Sequence, residues 1–74
     1  MVTDMIKHAM TPAPFDRIMR KCGAERVSEG AAKELRNVIE DIAEDISKEI
    51  VVVARHAGRK TIKKEDIELA MRHH

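Results

Sequence analysis

Residues 29–57 read EGAAKELRNVIEDIAEDISKEIVVVARHA, and the spacing of their apolar side chains decides the architecture. Leu35, Ile39, Ile42, Ile46, Ile50, Val53 and Ala57 recur three or four positions apart on one stripe, with no proline to interrupt it. Taken alone, the β-branched run Ile50-Val51-Val52-Val53 also fits a buried strand, but the stripe passes through it unbroken. The expectation is one helix from Glu29 to Ala57. Ser28 supplies an N-cap, although Ala31 three residues later cannot complete a capping box. Gly58 follows Arg55-His56-Ala57, which is a helix end with cations at its negative pole.

Such a helix is about 43 Å long at 1.5 Å per residue. A compact 74-residue globule has a radius of gyration of about 11 Å and a diameter near ~30 Å. The helix therefore overshoots its own domain, and two short helices cannot cover its stripe. An identical chain crossing antiparallel is the simplest cover, so the sequence predicts a homodimer with Leu35, Ile39, Ile42, Ile46, Ile50 and Val53 in its core.

Outward on the N-terminal side, Phe15, Ile18, Met19 and Cys22 mark a short amphipathic helix with Pro14 at its first position and Gly23 beyond its end. Arg17, Arg20 and Lys21 fall on the opposite face. On the C-terminal side a third helix is expected from Lys63 to His73, with Glu65 and Asp66 in its first turn. Ile67, Ala70 and Met71 share one face of it, and Leu69 lies on the other beside Asp66. Residues 1–10 read as an N-terminal arm and 11–74 as one domain.

Hydrophobic residues make up 43% of the chain and charged ones 36%, too apolar for disorder, and no run approaches the ~20 apolar residues of a membrane span. The single Cys22 excludes an internal disulfide, and Met1-Val2-Thr3-Asp4 does not open a secretory signal, so a reducing, cytoplasmic setting is expected. The net charge of +1 hides a segregation. Residues 17–28 hold four cations against Glu25, residues 29–54 hold seven acids against Lys33, Arg36 and Lys48, and residues 55–64 hold five cations and no acid.

An antiparallel dimer would set the loop Gly23–Ser28 of one chain near the loop Gly58–Ile62 of the other, with Val27 and Ile62 pairing as short strands. Arg26 would then stand beside Arg59, Lys60 and Thr61, and positive charge would collect at each end of the dimer. His8, Cys22, His56 and His73 share no ligand spacing, so no metal or other cofactor is expected. No phosphate loop or nucleophile motif appears either, which argues against an enzyme and a small-molecule substrate. Single-strand binding needs stacking platforms, and the only aromatic residue is Phe15 on an apolar face.

Pro14-Phe15-Asp16-Arg17-Ile18, Gly23-Ala24-Glu25-Arg26-Val27-Ser28 and Ala54-Arg55-His56-Ala57-Gly58-Arg59-Lys60-Thr61-Ile62 closely resemble the archaeal histone family, with the match running from Thr11 to Arg72. The resemblance implies an all-α histone fold: a long central helix between two short ones, paired as a handshake homodimer. It also implies tetramers or longer assemblies that wrap duplex DNA at the chromosome without sequence preference, and a related histone as an alternative partner in a heterodimer. Carried over by position, Arg17, Arg20, Arg26, Lys60 and Thr61 correspond to DNA contacts, with Arg26 entering the minor groove. Arg59 and Asp66 correspond to an intrachain salt bridge. His56, Asp66 and Leu69 correspond to the contact between dimers, where His56 would confer pH sensitivity.

Several positions depart from the pattern. Asp16 stands where the family commonly has glycine, Thr11 where proline is common, and His73 and His74 where arginine and an aromatic residue are frequent. Asn37 and Lys21 replace charges that the family uses between turns of a filament. Two rival functions follow: a histone-fold module that pairs with another protein, and a histone that coats or bridges duplex without wrapping it.

Overall fold

The structure is a computed structural model that describes residues 10–72. Residues 1–9 of the expected arm, and His8, His73 and His74, lie outside the described residues. Three helices follow in order: α1 (Ala13–Lys21), α2 (Glu29–His56) and α3 (Lys64–Met71). No strand occurs among the described residues. The short, long, short order is the one the resemblance implies.

Local chemistry explains each boundary. The N–H of Ala31 donates to Ser28 Oγ at 3.0 Å, satisfying one of the free amides at the start of α2. Both interhelical loops open on a glycine with positive φ, Gly23 at 111° and Gly58 at 72°. After α1, Gly23 N–H donates to Arg20 O at 3.0 Å and Ala24 N–H to Met19 O at 3.1 Å. After α2, Gly58 N–H donates to Arg55 O at 2.9 Å and Arg59 N–H to Ala54 O at 3.0 Å. This paired pattern closes a helix through a left-handed residue, which a side chain at either glycine would strain.

Three boundaries differ from expectation by one or two residues. α1 starts at Ala13 because Pro12 takes the N-cap position, which puts Pro14 second in the helix rather than first. α2 stops at His56, not Ala57. α3 starts at Lys64 because Lys63 is extended, at φ −116° and ψ 165°, and stops at Met71 with Arg72 as C-cap.

The chain divides into two compact units at the step from Asp41 to Ile42, and α2 contributes to both. In the first unit the buried side chains are Phe15 of α1 and Ala32 and Glu40 of α2. Arg36, half-buried, brings Nε to 3.8 Å from Glu40 Oε1, and neither Glu40 oxygen accepts a hydrogen bond among the described residues. Ile18 and Cys22, expected on the apolar face of α1, are exposed, while Met19 is half-buried. Leu35 is half-buried, and Val38 and Ile39 are exposed.

In the second unit Ile50, Ala54, Asp66 and Ala70 are buried. Ile46 and Val53 are half-buried, whereas Ile42 keeps 48% and Val52 51% of its surface exposed. The stripe read from the sequence is therefore split: Ile50 is covered within its own chain and Ile42 is not. On α3, Ile67 and Met71 are exposed although Ala70 beside them is buried. Asp66 and Ala70, four residues apart, form the covered side of α3 instead.

Candidate nucleic-acid interface

The amphipathic pattern of α1 leaves its basic residues outward: Arg17, Arg20 and Lys21 are all exposed. Arg20 Nε donates to Asp16 Oδ2 at 3.0 Å, an i,i+4 pair with the acid on the N-terminal side. Arg26 lies exposed in the loop after α1. These residues belong to the first unit.

In the second unit the loop after α2 is held by three contacts within its own neighbourhood. Arg59 N–H closes the end of α2 on Ala54 O, as described above. Arg59 Nη2 then donates to Asp66 Oδ1, and Lys63 N–H donates to Asp66 Oδ2 at 2.7 Å. Asp66 thus caps α3 from its first turn and pins the loop at the same time. Lys60 and Thr61, between these anchors, are exposed. Val51, Ala54, Arg55, Arg59, Lys60 and Ile62 surround a cavity of about 310 Å³. Arg59 Nη1 is buried without an acceptor among the described residues.

Of the residues carried over to a contact between dimers, His56 is exposed and Leu69 keeps 43% of its surface, but Asp66 keeps 1%. Both Asp66 oxygens are engaged by its own chain. The N–H of Lys63 holds the Asp66 carboxyl below its ordinary range, and the Arg59 guanidinium adds to this against the opposing effect of burial. A lowered folded-state pKa means that the proton binds the unfolded chain more readily. The stabilisation is complete above the unfolded value of about 3.9 and is lost as pH falls through the lower folded value. The urea midpoint of the native chain should therefore exceed that of Asp66→Asn by a constant margin above pH 5, and the margin should shrink below about pH 4. A margin unchanged down to pH 2 would rule this linkage out.

The remaining charges separate by location. Every Lys or Arg of α2 up to residue 54 has an acid four residues away as its partner: Lys33–Glu29 at 3.0 Å, Arg36–Glu40 at 3.8 Å and Lys48–Glu44 at 3.9 Å. Arg17, Arg26 and Lys60 make no ion pair among the described residues. Counting charges along α2 treats all its acids alike and so misses that Glu40 is buried. The Asp16–Arg20 pair was missed as well, although the i,i+4 spacing of opposite charges could have revealed it. No helix of the described residues is long and apolar enough to cross a membrane.

Residues 8–71 match the family described as histone-like transcription factor (CBF/NF-Y) and archaeal histone. The chain is similar to the archaeal histone HAN1 of Thermococcus zilligii, at 55% identity over 60 residues that cover 81% of this chain and 90% of the relative. It is also similar to the probable archaeal histone 3 of Methanocaldococcus jannaschii, at 48% identity with the same coverage of both chains. With three helices in the order short, long, short and a match along most of its length, the chain belongs to the family of CBF/NF-Y histone-like transcription factors and archaeal histones, and its fold is the histone fold.

Proposed function

We propose that this protein is an architectural component of the chromosome in the cytoplasm, a homodimer that binds duplex DNA without sequence preference and wraps or compacts it. One observation carries the reading: the cations of α2 up to residue 54 are matched by acids, while Arg17, Arg26 and Lys60 are exposed and unmatched. Unpaired cations on a helix face and in two loops suit phosphates met at intervals, and an arginine in a narrow minor groove reads shape rather than base identity. Lys60 and Thr61 contact phosphate, Arg17 approaches the backbone from α1, and Arg26 enters the minor groove.

The exposed apolar residues support the pairing. Val38 and Ile39 in the first unit, and Ile42, Val52, Ile67, Leu69 and Met71 in the second, are large side chains left in water by the single chain. A second copy, or a related histone in a heterodimer, removes that exposure. Inter-chain pairing of Val27 with Ile62 belongs to this dimer, and His56 and Leu69 offer surface for joining dimers into tetramers or larger assemblies.

The test is reconstitution on relaxed circular duplex with topoisomerase present, followed by nuclease digestion. Wrapping constrains supercoils and protects DNA in regular steps. Coating or bridging protects without constraining, and a protein-interaction module does neither. Neutralising ~6 phosphates per dimer gives a log–log salt slope near ~−5; a slope near zero would remove phosphate binding from the account.

A further inference from the structure

Among the five residues assigned to DNA above, Arg20 alone is tied to an acid of its own chain. Its Nε meets Asp16 Oδ2 at 3.0 Å, with side chains 51% and 32% exposed respectively. Asp16 precedes Arg17 directly and lies on the flank of the basic face of α1, so its charge sits beside two cations at once. The pair is wet enough to exchange partners, and its mutual attraction in water is weak. A phosphate approaching α1 must therefore compete with Asp16 for Arg20 while being repelled by Asp16 itself.

We infer that Asp16 is an affinity-limiting residue of the DNA interface, cancelling Arg20 so that α1 offers the duplex less positive charge than its sequence contains. The inference rests on the duplex-binding reading above. Asp16 acts through Arg20 and is a positioning residue rather than a contact. Because a dimer carries two copies of the pair, each change in charge counts twice. The functional result is a histone whose grip on DNA is held below the maximum available to its fold and is relaxed by modest changes in salt.

The experiment compares the native protein with Asp16→Asn, Arg20→Ala and the double variant on one random-sequence duplex, titrating from low to moderate salt and recording thermal melts. Asp16→Asn should bind about tenfold more tightly per dimer near 0.1 M salt, with the log–log slope steeper by ~1 to ~2 as the released arginines neutralise further phosphates. Arg20→Ala leaves Asp16 uncompensated and should weaken binding several-fold. The double variant, which removes a neutral pair, should return to within about twofold of the native affinity. Unchanged or weaker binding by Asp16→Asn, with an unchanged melt, overturns the inference: Asp16 would then be orienting Arg20 towards phosphate. If the native protein itself shows no salt-dependent duplex binding, the functional reading fails as well, so the two failures are distinguishable.

Discussion

Ile42→Asp should leave the protein without a stable folded dimer at micromolar concentration. Ile42 keeps 48% of its surface exposed in the single chain and lies at the middle of α2. In a two-fold antiparallel crossing the midpoint of one helix meets the midpoint of the other, so both copies of residue 42 approach the symmetry axis. The substitution forfeits about 2 kcal/mol of apolar burial in each chain. It also places two like charges in a dehydrated seam, where an unpaired carboxylate costs several kcal/mol more. The sum is comparable with the whole stability of a small domain, about 5–15 kcal/mol. Sedimentation should find a monomer and circular dichroism a largely lost helix signal, whereas Ile42→Leu, which conserves volume, should remain a folded dimer. A stable dimeric Ile42→Asp would show that Ile42 lies outside the seam.

The second large effect belongs to Arg26→Ala, expected to weaken duplex binding by about two orders of magnitude per dimer and to reduce the salt slope by ~2, one for each chain. Arg26 is exposed, unpaired and placed in a loop, so its removal disturbs no internal contact. The variant's melt should match that of the native protein. This separates it from Arg59→Ala, which breaks the contact with Asp66 and should lower stability before it affects DNA. If Arg26→Ala binds as the native protein does, with the same slope, the loop cation has no part in the interface.

Local signals made much of this legible in advance. Ser28 and Gly58 mark the two ends of α2 through chemistry confined to a few residues, and the structure places both as the sequence implies. The partition of the stripe was not legible. Periodicity reveals that Ile42 and Ile50 share a side of the helix, but not that Ile50 is covered by its own chain while Ile42 is left bare. Glu40 shows the converse: a carboxylate with 2% of its surface exposed is hidden by tertiary packing, which no count of charges reports. The placement of α3 eluded hydropathy for the same reason, since its covered side pairs a small residue, Ala70, with the charged Asp66. Among the interface candidates, the positions of Arg17, Arg26 and Lys60 followed from sequence, but the engagement of Arg20 required the structure.

The anchoring of the second loop has an energetic consequence. Its three ties, from Arg59 to Ala54, from Arg59 to Asp66 and from Lys63 to Asp66, lie within a short stretch of one chain. Lys60 and Thr61 therefore ride on a backbone that lost its conformational entropy when the chain folded, and any polyanion they meet need not order it again. Preorganisation of this kind should appear in calorimetry as a small entropic penalty for that loop, and in hydrogen exchange as amides at Arg59 and Lys63 that are already slow before ligand is added.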